Sequence, residues 1–381
     1  MKKKIADLFT QSSGKALKKS NQIGTLHKYI TTSNLFWGHF DFSEVREMYF
    51  SDTEVEKCTA KKGDLLVCNG GDVGRAAVWN YDYDICLQNH VTRLRKICDN
   101  LNPFYYYYFF KFVKQNNLIE GNGVGIESLS AKEILNIEVP FPSQNEQNQI
   151  VKKLDSIQSA IDNKKQQLSL LDEAVKSEFV EMFGENPVES GKWKVEKLED
   201  ISTVQTGGTP SRNHPEYFEG NIPWITTANL GKNELTYEDA MEYISQDAIN
   251  NSATKIIPAN SLFIGIRVGV GKCSINRVDM CSNQDICGLS GFDTTIINLV
   301  FLKKVLDSYS DFFENAKRGT TIKGIKSDTI KKLKIFIPEL NIQNQFASFV
   351  QQIDKSKFVV KQQIADLQEL LDSKMQEYFG A

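Results

Sequence analysis

The sequence predicts an α+β protein built from two repeated mixed α/β domains, each followed by a long helix. Two observations carry this prediction: the two halves of the 381-residue chain match at a nearly constant offset, and each half ends in a stripe of apolar residues with helical spacing. The composition agrees with it, because 41% hydrophobic and 24% charged residues are typical of a globular protein with buried cores.

The repeat is clearest where residues 29–35, YITTSNL, match residues 224–230, WITTANL, at an offset of 195 (225 − 30). Further matches follow in the same order along both halves: 71–75 with 268–272, 86–91 with 281–286, 122–126 with 318–322, 142–149 with 338–345, and 183–184 with 379–380. A repeat of this extent predicts two copies of one architecture.

The front part of each half carries short runs of β-branched and aromatic residues, such as Asp64–Cys68 and Ser261–Ile264, between turns rich in Gly and Asn. This pattern predicts strands joined by loops, with a few helices. Asn102 and Pro103 begin an aromatic tract that continues through Phe110, which predicts a packing helix. The tract resembles the Asn-Pro-Pro-Tyr/Phe loop of amino-methyltransferases, but the second proline is missing.

The back part of each half predicts a long helix with an apolar seam. In the first helix, expected over 146–182, the seam residues are Ile150, Leu154, Ile157, Ile161, Leu168, Leu171, Val175 and Met182. In the second they are Phe346, Val350, Ile353, Val360, Ile364, Leu367, Leu371 and Tyr378. We expect helix pairing through these seams, with Lys164 opposite Val360 and Ile161 opposite Lys357.

The sequence shows no constellation typical of catalysis or metal binding. Gly121–Gly125 and Gly269–Lys272 are rich in glycine, but neither has the spacing of a phosphate-binding loop. The four histidines show no ligand spacing, and the seven cysteines form no C-x-x-C pair. We therefore expect no catalytic residues, no metal and no cofactor in this chain, and cysteines that are reduced core residues.

The net charge of −3 and the pI near 6.0 argue against a uniformly basic surface of the kind that holds nucleic acid by itself. A nucleic-acid role would rest on local patches or on a partner that supplies charge. The segment Met1–Phe9 has no apolar run of signal-peptide length, and no run of eighteen apolar residues occurs anywhere. We expect a cytoplasmic protein.

These features together resemble the specificity subunit of type I restriction-modification enzymes, and the resemblance covers essentially the whole chain. The segments that carry it are the two ITT[SA]NL motifs, the Gly-rich turns 71–74 and 269–271, the loops at Gly123 and Gly319, and the Pro-x₄-Gln junctions 142–147 and 338–343. The second half opens with Trp193–Leu198, whereas the first starts directly at Lys4, which leaves open whether the first domain has this edge element.

The resemblance implies two target recognition domains, residues 1–141 and 187–337, each recognising one part of a bipartite double-stranded DNA site. It implies spacer helices at 142–186 and 338–381 that pair as an antiparallel coiled coil and dock two methyltransferase subunits. Restriction subunits are possible further partners, and S-adenosylmethionine is expected in the partner methyltransferase. The expected setting is the prokaryotic cytoplasm, without a membrane.

Residues shared by both halves, such as Asn34 and Asn229, cannot distinguish two half-sites, so we expect them to build the framework or to position phosphates. Arg, Asn and Gln that differ between the halves can pair with guanine and adenine edges in the major groove. The DNA-binding candidates are Lys15, Lys18, Lys19, Lys28, Trp37, His39, Arg75, Gln88, Asn89, Thr209, Arg212, Asn213, Arg267, Lys272, Asn283, Gln284, Arg318 and Lys323. Arg75 and Lys272 occupy matched positions and would contact phosphates. For each candidate a solvated surface role is the alternative.

The predicted first helix has 37 residues and spans about 55 Å at about 1.5 Å per residue, which exceeds one turn of B-DNA at about 34 Å. Two such helices would set the gap between half-sites. Lys165–Gln167 and Lys361–Gln363, identical in both copies, are outward-facing docking candidates or a solvated face. Two other functions stay open: a duplicated protein-binding adaptor, which the acidic pI suits, and a reduced methyltransferase or restriction fusion.

Overall fold

The computed structural model describes residues 1–16, 23–119, 129–317 and 324–380, and the chain divides into two compact units. The first unit comprises Met1–Gln167 and Val360–Ala381, and the second comprises Leu168–Val359. Each unit therefore contains one mixed domain together with a segment of both long helices.

The first unit holds the following elements within the described residues. Its strands are β1 (Lys2–Lys4), β2 (Phe9–Ser13), β3 (Thr25–Ile30), β4 (Leu35–Phe36), β5 (His39–Phe40), β6 (Arg46–Phe50), β7 (Thr59–Ala60), β8 (Leu65–Cys68), β9 (Ala76–Val78), β10 (Ile85–Leu87), β11 (Val91–Lys96) and β12 (Glu138–Pro140). Its helices are α1 (Asp52–Cys58), α2 (Pro103–Gln115), α3 (Ala131–Asn136) and α4 (Gln144–Phe183), the last of which continues into the second unit.

Two four-stranded sheets form the frame of the first unit, in the orders β6-β3-β10-β7 and β2-β11-β8-β9. Helix α2 begins as predicted, since the Asn102 side chain accepts a hydrogen bond from the Phe104 N–H and Pro103 occupies the first helical position. Its aromatic residues from Tyr105 through Phe110 are all buried, and the ring of Tyr106 meets Phe9 edge-on at 4.8 Å. The aromatic tract is therefore core.

The second unit repeats this plan with one five-stranded and one three-stranded sheet in place of the two four-stranded sheets. Its strands are β13 (Lys194–Lys197), β14 (Thr203–Thr206), β15 (Ile222–Ile225), β16 (Glu234–Leu235), β17 (Glu242–Ile244), β18 (Ser261–Gly265), β19 (Cys273–Asn276), β20 (Cys281–Ser282), β21 (Ile286–Ser290) and β22 (Lys334–Ile337). Its helices are α5 (Leu198–Ile201), α6 (Gln246–Asn250), α7 (Leu299–Ser308), α8 (Ser310–Ala316), α9 (Ser327–Lys331) and α10 (Leu340–Phe379), the last of which continues into the first unit. The sheets have the orders β14-β21-β18-β19-β16 and β17-β15-β20.

The first domain does have the edge element whose presence the sequence left open. Strand β1 pairs antiparallel with β12 through Lys2↔Pro140 to Lys4↔Glu138, and β13 pairs with β22 in the same way. The first copy is one residue shorter, which hides it in the sequence because three lysines do not look like a strand.

The long helices α4 and α10 pack together, and the second unit shows that they run antiparallel. The ring of Phe183 lies 5.4 Å from that of Phe346, while Asp172, eleven residues earlier in α4, forms an ion pair with Lys357, eleven residues later in α10. The predicted register is wrong, because Lys357 lies opposite Asp172 and not opposite Ile161. Gly184, with φ of 90°, ends α4, and its N–H donates to the Val180 carbonyl at 2.8 Å.

The predicted seam residues divide between the two units. In the first unit, Leu154, Ile161 and Leu371 are fully buried in one apolar cluster, with Ile150, Ile157, Ile364 and Leu367 packed against it. In the second, Val350 is fully buried and Ile353 packs beside it. Val360 is buried, whereas Leu168 and Leu171 are half-buried.

A buried glutamine fixes each Pro-x₄-Gln junction. The side-chain oxygen of Gln147 accepts the Asn102 N–H at 3.0 Å, and its nitrogen donates to the Pro142 carbonyl at 3.1 Å. Gln343 does the same with Asn298 at 2.9 Å and Pro338 at 2.8 Å. Both glutamines are completely buried, so each unit joins its mixed domain to its long helix through the same contacts.

All seven cysteines are free thiols, and six of them are buried as predicted. Cys98 is exposed, so the expectation of a core position is wrong for this one residue. Among the described residues, no helix is long and apolar enough to cross a membrane. The same described ranges contain no group of three or more His, Cys, Asp or Glu side chains that could hold a metal ion.

Candidate nucleic-acid interface

Three loops of the first unit meet at one edge of its sheets. Strands β3 and β10 pair in parallel, so the loops that follow them, 31–34 and 88–90, leave the sheet on the same side. The Gln88 N–H donates to the Ile30 carbonyl at 3.0 Å. The loop after β8, residues 69–75, joins them, because the Asn69 N–H donates to the His90 carbonyl at 3.0 Å.

The second unit builds the same edge from the matching segments. Strands β15 and β20 pair in parallel, and the Asn283 N–H donates to the Ile225 carbonyl at 3.0 Å. The loop after β18, residues 266–272, joins through the Ile266 N–H, which donates to the Asp285 carbonyl at 2.8 Å. Each backbone contact has its counterpart in the first unit, so the repeat extends to the hydrogen bonds.

The shared asparagines are used by the loops themselves. Asn34 Oδ1 accepts the Thr31 N–H at 2.9 Å, and its amide donates to the carbonyls of Asp41 and Glu44. Asn229 Oδ1 accepts the N–H of Thr226 at 2.9 Å, and its amide donates to the Asp239 carbonyl. Both side chains are buried, which fits a framework role and excludes contact with a base.

The matched cations Arg75 and Lys272 differ in their exposure and in their partners. Both end a turn with glycines in the left-handed region, and both backbone carbonyls accept a hydrogen bond from the residue that precedes the loop, Cys68 or Gly265. The Arg75 guanidinium is held by Asp72 at 3.3 Å and by the Thr32 carbonyl at 2.7 Å. Lys272 is exposed and has no ion pair among the described residues.

A family model for the type I restriction modification DNA specificity domain matches residues 1–173 and 190–369. This chain belongs to that family. The two matched segments correspond to the two repeated halves, which confirms the resemblance predicted from the ITT[SA]NL motifs and the junctions.

Curated relatives and solved structures agree with this assignment. The chain is 26% identical over 316 residues to the EcoR124I/EcoR124II specificity subunit of Escherichia coli, covering 77% of this chain and 74% of the relative. It is 21% identical over 378 residues to the MjaVIII specificity subunit of Methanocaldococcus jannaschii, covering 92% and 85%. The crystal structure of the type I system S subunit from M. genitalium matches with a TM-score of 0.58 at 15% identity, covering 100% and 96%.

A second solved chain is more similar in shape. It comes from a structure describing complex assembly and conformational transition of the type I restriction-modification system, and it matches with a TM-score of 0.64 at 15% identity, covering 99% of this chain and 97% of that one. These likenesses confirm the fold: repeated mixed domains and long helices that pack together.

In this specificity-domain chain, two of the candidates in the first unit lie below the surface. Lys15 is buried, and its ammonium binds Glu54 at 2.6 Å and the Tyr49 carbonyl at 2.7 Å, which lowers the pKa of the Glu54 carboxyl. Gln88 is also buried, and its side chain bonds to Asn89 at 2.6 Å. Lys15 cannot reach DNA without breaking its ion pair with Glu54, so the predicted DNA-binding role does not fit the structure.

The other candidates of the first unit keep some exposed surface. Lys28 is exposed on β3, and His39 is exposed with its ring stacked on Phe36 at 5.3 Å. Trp37 is half-buried beside Tyr107. Asn89 is half-buried at the loop edge, and Lys18 and Lys19 lie outside the described residues.

Arg212 and Thr209 are paired within the second unit. The Arg212 guanidinium binds both oxygens of Glu242, at 2.7 and 2.8 Å, and lies 4.0 Å from the Phe218 ring centroid. This hydrogen bonding lowers the pKa of the Glu242 carboxyl and raises that of Arg212. Thr209 donates to Gln284. A bidentate arginine is a poor candidate for base contact, because the carboxylate already fills its fork.

The remaining candidates of the second unit surround the loop edge. Arg267 is exposed and lies 3.3 Å from Asp285, and Asn283 accepts the Asp285 N–H at 3.2 Å. Asn213 is exposed, whereas Arg318 and Lys323 lie outside the described residues.

The sequence search missed Asp285 and His90, which occupy matched positions in the converging loops. It favoured Arg, Asn and Gln for their paired hydrogen bonds and passed over an acid and a histidine. The aligned tripeptides Gln88-Asn89-His90 and Asn283-Gln284-Asp285 were a usable signal, since their third residues differ in charge.

Proposed function

We propose that this chain is the DNA sequence-recognition subunit of a type I restriction-modification complex and that each half recognises one part of a bipartite site. The observation that carries the proposal is the duplicated loop edge: the backbone contacts are the same in both units, while the exposed side chains differ. A common frame with different side chains suits two different half-sites.

The recognising domains are residues 1–141 and 187–337, and residues 142–186 and 338–381 are the spacer helices. Helices α4 and α10 have 40 residues each, about 60 Å at about 1.5 Å per residue. A rigid helical pair of this length would hold a fixed number of unrecognised base pairs between the half-sites.

Methyltransferase subunits would dock on the outer faces of the long helices. The first turns of α4 and α10 present matched faces next to the junctions, where Asn102 donates to Asn148 and Asn298 donates to Asn344, both at 2.8 Å. Residues 165–167 and 361–363 are exposed in both copies. Two matched faces support a stoichiometry of two methyltransferase subunits for each chain, with restriction subunits as further partners.

Catalysis would belong to the partners, and S-adenosylmethionine would bind in the methyltransferase. The net charge of −3 supports this division, because a partner must supply much of the charge that holds DNA. A complex that modifies the chromosome acts in the prokaryotic cytoplasm.

The test is to co-express the chain with the methyltransferase subunit of its system and to map methylated adenines in host DNA with and without it. Methylation at a split motif that disappears without the chain supports the proposal. Methylation that does not depend on the chain favours a protein-binding adaptor. Binding of S-adenosylmethionine by the isolated chain would favour a reduced methyltransferase.

A further inference from the structure

The loops after β8 and β18 have the same backbone but expose different side chains. In the first unit the Cys68 N–H donates to the Arg75 carbonyl at 2.8 Å, and in the second the Gly265 N–H donates to the Lys272 carbonyl at 3.0 Å. The closing bonds, from Gly74 and Gly271, also correspond. Residues 70–75 and 267–272 can therefore be compared position by position.

The second unit presents two side chains where the first has none. Arg267 corresponds to Gly70 and Val268 to Gly71, and the Arg267 side chain is 53% exposed while Val268 is 54% exposed. Later in the first loop, Asp72 is engaged by Arg75 and by Lys114, both at 3.3 Å. Within the described residues, the arginine of the first loop, Arg75, is bound by Asp72 and by the Thr32 carbonyl and is only 18% exposed, so this loop presents no exposed guanidinium like that of Arg267.

Asp285 orients Arg267 without occupying all the hydrogen-bond donors of its guanidinium. One carboxylate oxygen lies 3.3 Å from the guanidinium, and the backbone of Asp285 is fixed by bonds to Asn283 and Ile266. The bond is single, unlike the bidentate pair of Arg212 with Glu242, so other N–H donors of the Arg267 guanidinium remain for a base while Asp285 holds one nitrogen. Asp285 thus orients the Arg267 side chain, and the guanidinium remains able to bind a base.

The first unit lacks this arrangement of an arginine beside a carboxylate. His90 stands where Asp285 stands, and a Cβ on Gly70 would come within 2.7 Å of its Nδ1 atom. An arginine at position 70 would force this ring to move, and a histidine would not attract it as a carboxylate does. The two units therefore use this loop differently.

We propose that Arg267 recognises a guanine in the second half-site through its O6 and N7 atoms, with Asp285 as its positioning residue. Arginine is suited to this because its planar fork matches the two acceptors, whereas Lys272, a point charge, suits a phosphate. The inference rests on the proposed function and adds which residue determines one base. The matched loop of the first unit does not determine a guanine in its half-site.

The experiment maps adenine methylation by complexes that contain Arg267→Gln, Arg267→Lys or Asp285→Asn. For Arg267→Gln we expect discrimination at one guanine of the second half-site to fall by about 5- to 150-fold, the value of one bidentate contact. Arg267→Lys should lose the same discrimination, because it keeps the charge but not the fork. Asp285→Asn should relax the same base less. The first half-site should stay unchanged.

The matched control is Arg277→Gln. Arg277 also pairs with a carboxylate, Glu234, but lies in the turn after β19. It should leave both half-sites unchanged, and equal thermal stability of all variants would exclude a folding defect.

Two results would overturn the assignment. If Arg267→Gln leaves every base of the motif as before, Arg267 does not recognise a base. If it weakens methylation at all sites equally and Arg267→Lys restores it, the residue contacts a phosphate. Methylation by the parent complex that does not depend on this chain would instead overturn the proposed function itself.

Discussion

Gln147 and Gln343 explain why both junctions carry the Pro-x₄-Gln pattern. Each carboxamide accepts from the backbone of the asparagine that caps a neighbouring helix and donates to the carbonyl of the junction proline. Glutamine has both the acceptor and the donor that this position needs, whereas the carboxylate of a glutamate of the same length has no donor. The glutamine thus joins the mixed domain to the spacer helix.

Gln343→Ala should lower the free energy of unfolding by about 2–4 kcal/mol, because each backbone group left buried without a partner costs about 1–3 kcal/mol. The groups at risk are the Asn298 N–H and the carbonyls of Ile296 and Pro338. Urea denaturation measures the change. Gln345→Ala, which replaces an exposed residue in the same helical turn, is the control. An equal loss of stability in both variants would contradict the role of Gln343 at the junction.

Residue types predicted which side chains could bind DNA, but not which of them are already bound by a partner within the folded protein. Lys15 and Arg212 are cations in the right segments, yet Glu54 and Glu242 already bind them. These partners lie 39 and 30 residues away in the chain, so their proximity exists only in the folded unit. Asp285, in contrast, was not among the candidates, because its proposed role depends on its ion pair with Arg267.

The long helices show what periodicity can and cannot predict. The seams and the ends of α4 followed from apolar spacing and from the glycine that ends the helix, within two residues at each terminus. The register did not follow, because a heptad pattern fixes which face packs but not the axial offset between two helices. Contacts such as Phe183 with Phe346 and Asp172 with Lys357 set that offset.

Deletion of one heptad from each long helix, residues 169–175 and 354–360, should shorten the gap in the target and leaves the docking candidates 165–167 and 361–363 in place. In the antiparallel register these segments lie opposite each other, and each loses about 10 Å, or about three base pairs. Both half-sites should keep their bases, because no residue of the loop edges changes. The measurement is the methylated motif of the variant complex.

Replacement of the same fourteen residues by alanine-rich heptads that keep the seam is the control for length, and its gap should be that of the parent. An unchanged gap after the deletion would refute the spacer role.

At the scale of the whole molecule, the repeat predicted nearly the entire architecture. The copies agree at the loop framework, at the buried junction glutamines and at the edge strands. They differ in exposed side chains such as Arg267 and His90. The comparison of the halves found this frame because both copies use the same residue types for the same contacts, as Asn34 and Asn229 do. It could not tell which differing residue faces DNA, since exposure and pairing depend on the folded loops.

The central claim is that each half recognises its own half-site. The most direct measurement exchanges residues 1–141 for the corresponding domain of another specificity subunit and maps the methylated motif of the complex. One half-site should change while the other half-site and the gap stay as they were, and exchange of residues 187–337 should give the complementary result. A change in both half-sites after either exchange would contradict the claim.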